Sequence, residues 1–331
     1  MPRAKPIAAL AVIVAACGCT GRPAAVQSIP LSVEVTRSPW NSSYSTGEVL
    51  TSRHYRIYTT TTNQVLLGHL PGFIEAAYQN YLSLTGLGDR ASDGPMSVYM
   101  MATRQEWLAL SENVLHAHRG IYQSVEAGGY CYNGVCAYWD LSGPSTFTVA
   151  AHEGFHQFLY HRLKDKLPTW LEEGLAVAAE GHDIQADCVT FDPNRNPFRI
   201  NNLRSVIIED RWIPIAQLLP LEAADVFGRV PNRAVNYYAQ LWALSTFLHS
   251  DPTYSVGLRR MLADAEAGNF GRALNLPPES LGRLRLGRDY NQTVCLPLFN
   301  HYISRDLQAF DRQYLAFARQ LAGLGSPQGA H

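Results

Sequence analysis

Apolar positions along this chain change their period near the middle. His54-Tyr-Arg-Ile-Tyr-Thr-Thr alternates as a strand does, and Gln64 to Leu84 carries apolar residues at helical spacing. Pro95-Met-Ser-Val-Tyr-Met reads as a second strand, Arg104 to Asn113 as a short helix, and Gly120 to Trp139 as one or more strands. From Ser145 onward the pattern is helical over Thr146–Lys164, Trp170–Glu180, Arg233–His249 and Tyr302–Leu321. Residues 181–232 are richer in Pro, Asn and Asp and predict an ordered irregular excursion. Residues 17–45, rich in Pro, Ser, Thr and Gly without a period, predict a tether. The expectation is an α+β domain over 46–325, with a sheet-rich lobe at 46–144 and a helical lobe at 145–325.

The first sixteen residues change the picture. A basic start, Met-Pro-Arg-Ala-Lys, precedes an apolar run from Ile7 to Ala16 that is too short to span a bilayer, which predicts an export signal over 1–16. Val14-Ala-Ala-Cys17 resembles the bacterial lipobox, and that resemblance implies lipidation at Cys17, a membrane anchor and a place in the cell envelope. Without Arg3 and Lys5 the 27 basic residues become 25, against 28 acidic ones, a net charge of −3. The basic residues are scattered, so no nucleic-acid partner is expected.

An exported chain with Cys131, Cys136, Cys188 and Cys295 predicts disulfides. Cys131-Tyr-Asn-Gly-Val-Cys136 places an Asn-Gly turn between two cysteines that face each other across a hairpin, and Cys188 with Cys295 follows by elimination. A zinc ribbon lacks its second cysteine pair.

The candidate chemistry lies in Val149-Ala-Ala-His152-Glu153-Gly-Phe-His156-Gln157. On a helix His152 and His156 share one face, so both imidazoles can reach one Zn²⁺. Glu153 beside them is placed to act as general base on zinc-bound water. A third protein ligand is required, and a second predicted helix begins at Leu167-Pro168-Thr169. Thr169 with Glu172 makes a capping-box pattern that assigns Glu172 to the backbone. Glu173 is then the third ligand, and Glu180 on the same face would orient a ligating imidazole. His161, His182 and His301 read as surface or satisfied polar residues, and the pair His116 and His118 lacks a third partner.

His152-Glu-Gly-Phe-His156, sixteen residues, then Glu173 within Trp170-Leu-Glu-Glu-Gly-Leu-Ala resembles the gluzincin metallopeptidases, and more closely the peptidase MA-like families of bacterial envelope proteins. The match is specific over about thirty residues and looser at His54-Tyr-Arg-Ile-Tyr and Tyr238-Ala-Gln-Leu-Trp-Ala-Leu. The resemblance implies a zincin-like fold with the active-site helix between the lobes, and zinc-dependent hydrolysis of a peptide or protein substrate. It further implies a tyrosine that donates to the oxyanion, with Tyr238 the candidate and Tyr237 and His249 its rivals. An extended substrate would pair with a strand before the helix, and the hairpin through Tyr138 is the local candidate. A Gly-x-Met-Glu-Asn exopeptidase motif is absent, so specificity for a free amino terminus is not implied. The alternative function is a non-catalytic, zinc-stabilised envelope lipoprotein that binds peptides or cell-wall partners.

Overall fold

The computed structural model describes residues 28–325, except 43–44, 91–93, 114, 117–121, 124, 126–127, 227–231 and 278–287. The expected export signal, Cys17 and His118 lie outside the described residues. The strands are β1 (Ser28–Pro30), β2 (Thr36–Asn41), β3 (Thr46–Thr51), β4 (Tyr55–Thr59), β5 (Met96–Met101), β6 (Gly129–Tyr132), β7 (Val135–Trp139), β8 (His182–Ile184) and β9 (Cys188–Phe191). The helices before the chain's midpoint are α1 (Gln64–Thr85), α2 (Arg104–Asn113) and α3 (Pro144–Arg162). Those after it are α4 (Thr169–Ala179), α5 (Pro197–Ile208), α6 (Ile215–Leu218), α7 (Ala223–Val226), α8 (Arg233–Ser250), α9 (Pro252–Ala267), α10 (Phe270–Ala273), α11 (Arg288–Tyr302) and α12 (Leu307–Leu321).

The protein is α+β. Its main sheet is mixed, with strand order β2-β3-β4-β5-β7-β6, and a second sheet has the order β1-β9-β8. Strands β4, β5 and β7 are parallel neighbours, which requires crossovers; α1 supplies the first and α2 lies within the second. The alternation read in the sequence holds in β4, where Tyr55, Ile57 and Thr59 are buried and Arg56 is exposed. One face of the sheet joins α1, α3, α4 and α8 in a continuous apolar core. The other face carries a smaller cluster under α2, where Trp107 Nε1 donates to Ala137 O at 2.9 Å and Tyr130 Oη to Ser111 Oγ at 2.8 Å.

Two expectations are corrected here. The tether does not extend to residue 45: Ser28–Pro30 pairs with β9 and Thr36–Asn41 with β3. Their Ser, Thr and Pro content concealed strands whose pairing partners supply the order. The stretch 181–232 is likewise not irregular throughout, since it holds β8, β9, α5, α6 and α7.

The cysteine expectation divides. Asn133 and Gly134 both adopt positive φ, 49° and 74°, as a tight hairpin turn requires, and Cys131 stands opposite Cys136 as expected. All four cysteines described are nevertheless thiols. Cys136 Sγ donates to Glu153 O at 3.1 Å. Cys188 lies half-buried on β9, 3.7 Å from Gln185 Oε1, whereas Cys295 is buried in the core on α11. Elimination paired two residues that the fold assigns to different neighbourhoods.

Helix α3 is fixed from several sides. Its buried Gln157 donates from Nε2 to Ser97 O at 2.7 Å and to Gly134 O at 2.8 Å, which ties the hairpin turn to the helix. On another face Tyr81 of α1 donates to Ala151 O at 2.8 Å, and a Cβ on Gly154 would stand 2.6 Å from Tyr81 Oη. The α3–α1 contact therefore requires glycine at 154. Gly154→Ala gains about 1 kcal/mol of helix propensity but overpacks a buried contact at a cost of about 1–3 kcal/mol, so a net loss of up to about 2 kcal/mol is expected. With Tyr81→Phe the obstructing oxygen is gone, and the same alanine should be neutral or stabilising. Urea unfolding of the four proteins in this cycle checks the contact, and strictly additive losses would contradict it.

Candidate metal centre

The middle of α3 and the first turn of α4 face each other across the Leu163–Pro168 break. His152 Nε2 and His156 Nε2 are 3.3 Å apart. Glu173 reaches both, with Oε2 3.6 Å from His152 Nε2 and Oε1 3.8 Å from His156 Nε2. Ligand atoms held 2.0–2.1 Å from a tetrahedral zinc stand roughly 3.3–3.4 Å from one another. The two imidazoles stand at that spacing, each Glu173 oxygen faces one of them, and one atom from each of the three residues lies within 4.8 Å of the others, which makes them the convergent set that could hold a metal among the described residues.

The outer nitrogens are also occupied. His152 Nδ1 lies 3.0 Å from Glu180 Oε1, as the sequence led us to expect. Glu180 is held in turn by Asn196 Nδ2 at 3.1 Å and by Arg199, whose Nε and Nη2 lie 3.2 and 2.9 Å from its two oxygens. His156 Nδ1 lies 3.2 Å from Glu172 Oε1. Both imidazoles thus present Nε2 inward.

That contact corrects the reading of Glu172 as a capping residue. Pro168 is the N-cap of α4 without a side-chain cap, and the Thr169 amide donates to Asn291 Oδ1 at 3.0 Å instead. Thr169 is already helical, so the capping box has no place to form. Asn196 and Arg199 were missed altogether; both lie in the stretch read as irregular, and only tertiary contact with Glu180 identifies them.

Burial lowers the affinity of the His152 imidazole for its proton, but hydrogen bonds to Glu173 and Glu180 and the Glu153 charge outweigh it and lift the group to about 10. At His156 burial acts the same way, and Glu173 and Glu172 raise it to about 9. Burial pushes Glu173 and Glu180 up, yet the imidazoles, joined at Glu180 by Arg199, hold both carboxyls below their ordinary value. Glu153 is raised, because burial and the Glu173 charge exceed what the imidazoles and the Cys131 main-chain amide return.

Tyr238 on α8 is half-buried in the wall of the same cleft, with the Arg199 guanidinium 5.7 Å above its ring. Burial and the Glu173 charge raise its phenol well above the ordinary value. Tyr237 Oη donates to Leu221 O at 3.1 Å, and the His249 ring nitrogens lie 2.7 and 2.9 Å from Ser245 O and Leu84 O; neither residue lines the cleft. His161 and His182 are satisfied by the main-chain oxygens of Gly134 and Glu180. Tyr138 is buried on the inner strand β7, and the edge strand beside the cleft among the described residues is β6. The cleft has a volume of about 1150 Å³.

Comparison of the chain with protein-family models, with curated proteins and with solved structures finds no match.

In the metal-free protein both imidazoles carry protons at pH 7, and a metal must displace them. Zinc binding at pH 7 is expected to release about two protons and to tighten as pH rises towards 9. Calorimetry in buffers of different ionisation enthalpy measures the count, and binding without proton release would contradict the geometry. Glu172→Gln and Glu180→Gln should each weaken zinc binding by about 10- to 100-fold.

Proposed function

We propose that the protein is a gluzincin-type zinc peptidase with a zincin-like fold. The observation that carries the reading is the convergence of His152, His156 and Glu173 with Glu153 beside them in an open cleft. The order of the chain, a mixed sheet followed by helices with α3 between them, supports the fold. The cleft exceeds the roughly 300–1,000 Å³ usual for small-molecule pockets, which favours a chain as substrate. Strand β6 is the last in the strand order among the described residues and lines the cleft, and β-augmentation along it would hold an extended peptide across α3.

When bound, zinc would supply Lewis-acid polarisation of the scissile carbonyl and acidification of water. The chain's own groups divide the remaining work. Glu153, with a carboxyl raised by burial, takes the proton of the attacking water and returns it to the leaving amine. Tyr238, held protonated by burial and by Glu173, donates a hydrogen bond to the oxyanion. Glu172 and Glu180 hold the imidazoles, and Arg199 offsets the charge of Glu180.

Glu153→Gln is expected to keep zinc at the wild-type level and lower turnover of an unfolded-protein or peptide pool by about 10²–10⁴-fold. Tyr238→Phe should lower kcat by about 10²–10³-fold. Full activity in Glu153→Gln would overturn the mechanism. One zinc per chain with no hydrolysis of any pool would favour a non-catalytic, peptide-binding lipoprotein.

A further inference from the structure

Beyond the candidate metal centre, the cleft is lined by three cationic side chains. Lys164, Lys166 and Arg272 line it, all three side chains are exposed, and none forms an ion pair among the described residues. The acids around them are already engaged. Glu172 and Glu173 hold imidazoles, and the main-chain amide of Cys131 bonds Glu153. Asp165, between the two lysines, turns inward so that Oδ2 accepts the Phe270 amide at 2.8 Å.

Exposed lysines are ordinarily solvated and mobile, and their charge is then of little use. Here the backbone that bears them is anchored. The amides of Lys164 and Asp165 both donate to Ala265 O, at 3.1 and 3.0 Å, and Tyr290 Oη donates to Lys166 O. Leu167, next in the chain, is buried in the core. Arg272 sits on α10, whose first amide is the one that Asp165 accepts. One anchored junction thus presents three exposed cations to the cleft, a few residues beyond His156 on α3, with the Lys166 charge reaching Glu173.

We propose that Lys164, Lys166 and Arg272 form a specificity subsite for a carboxylate of the peptide substrate. The inference rests on the peptidase reading for its substrate, but not for its binding chemistry. Two sources of the group are compatible with it, an acidic side chain and the peptide's own terminal carboxylate.

The test uses zinc-loaded mature protein and two matched peptide sets, one pairing Glu with Gln at successive positions and one pairing a free C-terminus with its amide. Dissociation constants are measured on Glu153→Gln protein and kcat/KM on wild type. One pair should favour the carboxylate by about tenfold at low salt, equivalent to ~1.4 kcal/mol, and the ratio should shrink as salt screens it. The responding pair identifies which carboxylate is read. Replacing Lys164, Lys166 and Arg272 together by Gln should bring that ratio within about twofold, and Lys164→Glu with Lys166→Glu should turn the preference towards Lys over Gln. Ratios within twofold in the wild type, or a preference that survives the triple substitution, would overturn the subsite. Cleavage without a carboxylate preference leaves the peptidase reading standing and removes this inference. A carboxylate preference in binding with no cleavage does the reverse.

Discussion

Everything at the centre of this protein depends on compensating a cluster of buried negative charge. Glu153, Glu172, Glu173 and Glu180 surround two imidazoles in a partly closed space, and among the described residues Arg199 is the guanidinium paired with them. Carboxylates gathered out of water are tolerated only when a positive charge sits among them. Without metal, two protons on His152 and His156 fill that role, which is why both imidazoles rise so far. A single divalent cation carries the same charge, and the inward Nε2 atoms stand at the spacing it needs.

The rest of the fold holds α3 still for that purpose. Gln157 and Gly134 lock the helix to the sheet, the absence of a side chain at Gly154 lets Tyr81 approach, and α4 is pressed between α3 and α8. The same close approach recurs on α4, where a Cβ on Gly174 would stand 3.0 Å from Leu241 O. The two glycines beside the ligand residues thus serve packing rather than chemistry. The Leu163–Pro168 break brings Glu173 back over His152 and His156 and at the same time projects the lysines into the cleft.

What was legible in the sequence was local. The period of Thr146–Lys164, the proline break and the Asn-Gly turn each specify their geometry within a few residues, so α3, α4 and the hairpin lie where expected. The convergence of His152, His156 and Glu173 followed from helical spacing on α3 plus one turn of α4. Glu172 was misread because a capping pattern and an imidazole partner can occupy the same position, and a tertiary contact decides between them. The strands before residue 45 and the Arg199–Glu180 pair depend on partners far along the chain, which periodicity does not report. Of the expected cysteine pairs, Cys131 and Cys136 face each other across the hairpin as thiols, whereas Cys188 and Cys295 lie in separate packing environments.

The most direct measurement is the zinc content of the purified protein and of its Glu173→Ala variant after identical dialysis. The account predicts about one zinc per chain in the first and much less in the second, with both proteins folded. A folded wild-type domain that takes up little zinc when it is supplied would contradict it, and so would a variant that retains a full equivalent.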